Sequence, residues 1–297
     1  MTILDEIGPS IRQLAEGAGT SVVGVGQRWG AGSGIVLGAG HVLTNAHNVR
    51  GDQVTVTFAD GRTAEGNIAG LDIDGDLAVI SVDTAGAPAL PWADDTPAEL
   101  GTPVFALANP GGRGLRVTFG FVSGIDRTFR GPRGRRITGS LEHTAPLLPG
   151  SSGGPVVSAA GQLLGINTNR LGEGFYLAIP ADETLRGRTE TLARGESAQS
   201  PRLGLAIAPN YVARRLRRAV GLPETDGLLI REVEEDSPAA RAGLAQGDLI
   251  VASAGHSIRT VDELFDALQA AQGGTIELSI LHGTDERTIQ VSFGDHG

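Results

Sequence analysis

Residues 147–156 read LLPGSSGGPV, two adjacent serines ahead of Gly-Gly-Pro. A serine in such a turn is either a loop residue or a nucleophile, and a nucleophile needs a base and an orienting carboxylate elsewhere in the chain. His47, in LTNAHNV, ends the apolar run HVLT. A histidine there is also at home as a structural residue. Asp76, in DIDGDLAVISV, precedes Leu77-Ala78-Val79. Asp72, Asp74 and Asp76 are all turn formers by type. Asp76 is preferred because the adjoining apolar run would bury it, and a carboxylate that orients a histidine needs that burial.

The two serines are not equivalent. Acyl transfer through a Ser-His-Asp set holds the oxyanion with two backbone N–H groups, from the nucleophile and from the residue two before it. For Ser151 the second donor would be Pro149, which has no N–H. For Ser152 the pair is Gly150 and Ser152. Gly153 and Gly154 would then let a substrate backbone come close.

These residues need elements to hold them. From residue 20 to about 183, short Val/Ile/Leu/Thr runs alternate with Gly/Asp/Asn/Pro turns, among them SVVGVG, GSGIVLG, LAVISVD, TPVFALANP and FYLAIP. This spacing predicts a β-barrel or sandwich, and the number of runs favours two packed barrels. Residues 1–19 place Ile3, Ile7, Ile11 and Leu14 on a helical stripe interrupted by Gly8-Pro9. Residues 184–201 are polar without clear periodicity and read as a linker. Residues 202–295 mix strand-like and helix-like runs, as a compact α+β module would.

Composition narrows the function classes. The chain has 297 residues, a net charge of −10 and no cysteine, which leaves no disulfide framework and no thiolate chemistry. All of its Lys+Arg residues are arginine. The acidic balance argues against a nucleic-acid partner; the arginine-rich RTFRGPRGRR at 127–136 reads as a solvated loop. No P-loop motif, metal-ligand set or cofactor fingerprint is found, so no cofactor is expected. No apolar run is long enough for a membrane span or signal peptide, which makes a cytoplasmic location the default, or a periplasmic or secreted one if a leader was removed.

Taken together, GSGIVLGAGHVLTNAHNV, DGDLAVISV, ALANPGGRGLRVTFGFVSGI, PGSSGGPVVSAAGQLLGINT and GFYLAIP resemble the HtrA/Deg family of serine proteases, trypsin-like domains followed by PDZ modules. The order His47, Asp76, Ser152 is the chymotrypsin-like one, distinct from subtilisins and α/β-hydrolases. The resemblance implies an all-β double barrel over 20–183, a PDZ domain over 202–295 and ATP-independent cleavage of unfolded or damaged polypeptides. It implies that Leu147 lines the specificity pocket and that Asn167, Thr168 and Asn169 lie along the substrate. In the PDZ module it implies a carboxylate loop at Leu203, Gly204 and Leu205, assisted by Arg202, with Leu264 and Leu268 flanking a groove for peptide C-termini. A homotrimer, assembled through an N-terminal region that includes Trp29, is a further implication. The sequence departs from the family where Thr144-Ala-Pro-Leu-Leu148 and Ser151 precede the nucleophile. A non-proteolytic chaperone or peptide-binding protein on the same scaffold is the competing class.

Overall fold

The structure is a computed structural model that describes residues 3–26, 31–38, 40–93, 98–130, 136–170, 174–196, 202–271 and 274–293. Trp29 and residues 131–135 of the arginine-rich segment lie outside these. The chain divides into two compact units, 1–198 and 199–297.

The first unit opens with helix α1 (Ile3–Glu16), which runs through Pro9 instead of breaking at Gly8-Pro9. Six strands follow: β1 (Val22–Val25), β2 (Gly32–Gly38), β3 (His41–Thr44), β4 (Gln53–Thr57), β5 (Thr63–Asp72) and β6 (Leu77–Ser81). They close into an antiparallel barrel in the order β1-β2-β3-β6-β5-β4. Six more, β7 (Pro103–Ala108), β8 (Arg116–Arg130), β9 (Arg136–His143), β10 (Pro155–Val157), β11 (Leu163–Arg170) and β12 (Tyr176–Pro180), close a second barrel in the order β10-β11-β12-β9-β8-β7. The expected all-β double barrel is what the chain forms. Most of its strands are rich in β-branched residues, and the apolar runs that break strict alternation, such as LAVI in β6, are buried on both faces. One hydrophobic core spans both barrels, joining Ile35, Leu43 and Leu77 of the first to Leu107, Leu163 and Ile166 of the second. Leu14 of α1 docks into the same core.

The expected linker is in large part a packed helix. Helix α2 (Glu183–Ala193) starts at Asp182, whose carboxylate accepts the Leu185 N–H at 2.8 Å as an N-cap. Leu185 and Leu192 are each 1% exposed and belong to the barrel core. Two leucines seven residues apart make a stripe too sparse for hydrophobic periodicity to reveal.

The second unit contains β13 (Leu205–Ala208), α3 (Asn210–Ala219), β14 (Leu228–Val233), α4 (Pro238–Arg241), β15 (Leu249–Ser253), β16 (His256–Ser257), α5 (Val261–Ala270), β17 (Thr275–His282) and β18 (Asp285–Ser292). Its main sheet runs β13-β14-β15-β17-β18, so β13 is an edge strand.

Candidate active site

Strand β3 delivers a buried Thr44-Asn45, and the chain then makes a single helical turn over Ala46–Asn48 that carries His47. Asp76 ends the loop between β5 and β6 and is 1% exposed. Its carboxylate gathers donors from two directions. Oδ1 accepts His47 Nδ1 at 2.8 Å and the His47 backbone N–H at 3.2 Å, and Oδ2 accepts the Thr168 hydroxyl at 2.6 Å. Asn45 Nδ2 donates to the Asp76 carbonyl at 2.9 Å, which fixes the backbone that carries the carboxylate. A carboxylate held this way fixes the ring of His47 and favours the tautomer with a proton on Nδ1.

The serine loop enters from the second barrel. Leu148-Pro149-Gly150-Ser151 closes with a Ser151 N–H to Leu148 carbonyl bond of 3.1 Å, and Gly150 has φ +87°. Proline at the second place and a left-handed glycine at the third are the residues a type II turn requires. Ser151 is buried, and Ser152 is half-buried. The Ser152 carbonyl accepts the Ser33 N–H and Asn48 Nδ2, both at 2.9 Å, so the residue next to His47 holds the backbone of the serine. Gly153, at φ +84°, sits so close to the Ser33 carbonyl that any Cβ there would collide. Among the described residues, the Gly150 and Ser152 N–H groups have no acceptor. Ser152 Oγ donates to the Thr168 carbonyl at 3.3 Å, and no bond to His47 is made.

Several residues play parts other than those expected. Asn167 is fully buried: its Nδ2 donates to the Gly154 carbonyl at 3.1 Å, and its backbone carbonyl accepts the Gly153 N–H at 2.8 Å. It braces the serine loop and has no side-chain surface for a substrate. Thr168, at a register shift of β11, supports Asp76 with its hydroxyl and accepts Ser152 with its carbonyl. Leu147 is half-buried against the core of the second barrel, while Leu148 is exposed. Asn169 contributes backbone pairing to Leu177; its side chain lies outside the described residues. Ser33 and Asn48 escaped the sequence reading, because their roles depend on contacts more than a hundred residues away.

In the second unit, the Leu203 and Gly204 carbonyls accept the Ala239 and Glu234 N–H groups at 3.0 and 2.9 Å. The N–H groups of Leu203 and Gly204 have no acceptor among the described residues. Arg202 forms an exposed 3.2 Å ion pair with Glu234. Leu264 and Leu268 are not groove walls: at 4% and 7% exposed they are core residues, because an i, i+4 stripe on α5 faces the sheet.

A trypsin-like peptidase domain model matches residues 32–166, and a PDZ domain model matches residues 229–281. The serine protease HhoA of Synechocystis is 34% identical over 279 residues, covering 88% of this chain and 70% of the relative. The chain belongs to the HtrA/Deg family. A DegP-like periplasmic serine endoprotease of Halomonas elongata is 32% identical over 277 residues, covering 91% of this chain and 57% of the relative. The chain thus spans little more than half the length of that protein. Among solved HtrA structures, the protease AlgW with a decapeptide superimposes with a TM-score of 0.69 at 25% identity, over 95% of this chain and 97% of the other.

In this HtrA chain the serine loop also rests on a buried histidine. His143 Nε2 meets Asn167 Oδ1 at 2.8 Å. The Asn167 amide nitrogen is committed to the Gly154 carbonyl, so Oδ1 is the acceptor and neutral His143 carries its proton on Nε2. Its Nδ1 is buried with no partner among the described residues. Burial lowers the pKa of His143 below its ordinary 6.5. The unfolded chain therefore takes up this proton more readily, and the fold loses stability as pH drops below about 6.5 toward the lowered folded value. Thermal unfolding between pH 7 and 5 should show this loss, with a slope of up to about 1.4 kcal/mol per pH unit. His143→Gln keeps a donor for Asn167 and should flatten the slope; equal slopes in both proteins would count against the assignment.

Proposed function

We propose that the chain is a serine endopeptidase in which Ser152 attacks the scissile carbonyl, His47 takes and returns the proton, and Asp76 orients His47. The observation that carries this reading is the convergence of His47 and Thr168 on the buried Asp76, with Ser152 tied by its carbonyl to Asn48 beside the histidine. The unpaired N–H groups of Gly150 and Ser152 supply the oxyanion donors. Turning Ser152 Oγ from the Thr168 carbonyl toward His47 is a χ1 rotation, a side-chain motion that needs no barrel rearrangement. The reaction follows the acyl-enzyme route, which needs no bound cofactor.

Substrates are unfolded or damaged polypeptides, and the second unit takes peptide C-termini at the Leu203–Leu205 loop while the peptide adds as a strand along β13. Of the two locations considered, the extracytoplasmic one is favoured by the relative described as periplasmic. No helix among the described residues is long and apolar enough to cross a membrane. The bond from Ser152 to Thr168 favours a second reading, a peptide-binding chaperone whose serine stays idle. A fluorophosphonate probe separates the two. The first reading requires covalent labelling at Ser152 and hydrolysis of unfolded casein; the second requires neither, even with C-terminal peptides added.

A further inference from the structure

Helix α2 lays one of its arginines, Arg188, on the turn between β5 and β6. Arg188 precedes the buried Thr189, and its Nη2 donates to Asp72 Oδ2 in an ion pair. The Asp72 side chain is 8% exposed, so this pair is shielded on the carboxylate side. Asp72 Oδ1 accepts the Gly75 N–H at 2.8 Å. Asp72 ends β5 and lies opposite Leu77, the first residue of β6, so the loop between them is residues 73–76. That loop ends in Asp76, whose φ of +56° is a left-handed conformation that few residues other than glycine, asparagine and aspartate adopt. The guanidinium also lies against the loop backbone, since a Cβ on Gly75 would collide with Arg188 Nη2 and Asp72 Oδ2. Asn45 and His47 hold Asp76 from one side of the loop, and Arg188 with Asp72 holds the start of the loop from the other.

We propose that Arg188 is a positioning residue for catalysis: acting through Asp72, it fixes the 73–76 turn and with it the angle at which Asp76 meets His47. The inference rests on the triad reading given above. Without the guanidinium, Asp72 is a shielded carboxylate with no cation, four residues from a second buried carboxylate. Relaxing the turn toward solvent relieves both, and Asp76 moves with it. A misplacement on the ångström scale in catalytic groups costs about 10²-fold in rate.

The test uses the full chain with a peptide substrate, and compares Arg188→Ala, Arg188→Lys and Gly75→Ala with wild type. We expect Arg188→Ala to lower kcat by about 10- to 10²-fold with KM unchanged, and to slow fluorophosphonate labelling in parallel. The downfield proton resonance of the His47–Asp76 hydrogen bond should broaden or vanish in a protein whose near-ultraviolet circular dichroism is native. Arg188→Lys keeps a cation and should recover most of the rate. Gly75→Ala pushes the guanidinium away and should reproduce the alanine effect, which carries the test if Arg188→Ala does not fold. A kcat within twofold of wild type for Arg188→Ala and Gly75→Ala, or a loss of thermal stability with kcat and the downfield resonance unchanged, overturns the proposal. If Ser152→Ala hydrolyses as fast as wild type, it is the triad reading that fails.

Discussion

Alanine at Ser152 is expected to lower kcat by about 10⁶-fold, whereas alanine at Ser151 should leave the rate within a few-fold of wild type. The two hydroxyls are one residue apart, so a general disturbance of the loop would affect both variants alike. Ser151 acts through its backbone: its N–H closes the turn on Leu148, and its carbonyl accepts the Gly154 N–H at 3.0 Å. Both bonds survive in Ser151→Ala. Ser152 is the more exposed of the two, and its carbonyl is tied to Ser33 and Asn48, which leaves the side chain to present its oxygen. Steady-state kinetics on one fluorogenic peptide, with both variants shown to be folded, decides the matter. Equal losses in the two proteins would remove Ser152 as the nucleophile.

Asparagine at Asp76 is expected to cost about 10⁴-fold in kcat while leaving the fold in place. The Asp76 carboxylate receives only donors, and one of them, the His47 backbone N–H, cannot become an acceptor. An asparagine oxygen must therefore stay at the Oδ1 position, which puts the amide NH₂ where Oδ2 accepts the Thr168 hydroxyl and stands 2.9 Å from His47 Nδ1. Thr168 can rotate its hydroxyl and accept instead. His47 Nδ1–H keeps an oxygen at 2.8 Å but loses the negative charge that stabilises its protonated form. The amide N–H now 2.9 Å away adds a competing tautomer with the proton on Nε2, the atom that must take the proton from serine. In the second tautomer there is no base. The measurement is kcat with KM, together with a thermal midpoint. A loss of less than tenfold would show that Asp76 does not set the tautomer.

Much of this candidate site was legible in the sequence, because each residue of the proposed triad sits near an apolar run that becomes a barrel strand. The choice between Ser151 and Ser152 also came from the sequence, since proline lacks an N–H in any fold. Asn167 was misread for a physical reason. The resemblance placed the strand INTN along the substrate but says nothing of which face each side chain occupies, and the register of β11 shifts between Asn167 and Asn169. Helix α2 was hidden by its composition: Leu185 and Leu192 supply its apolar contacts, and an arginine among them reads as solvated until Asp72 is placed opposite. For Leu264 and Leu268 the helical stripe was recognised, but periodicity alone does not distinguish a groove from a core.

The hydrogen bonds that assemble the serine loop join distant parts of the chain. Ser33 to Gly150, Asn48 to Ser152 and Thr168 to Asp76 span 117, 104 and 92 residues. The strand pairings that build each barrel include many hairpins between neighbours in sequence, and such local contacts close early because short loops lose less entropy. The bonds that seat the proposed nucleophile are therefore expected to form late, since they join residues 92 to 117 apart and need both barrels in place. On the proposed reading, the site is therefore complete only once both barrels have folded and met, so a partly folded copy of the chain should not be labelled at Ser152.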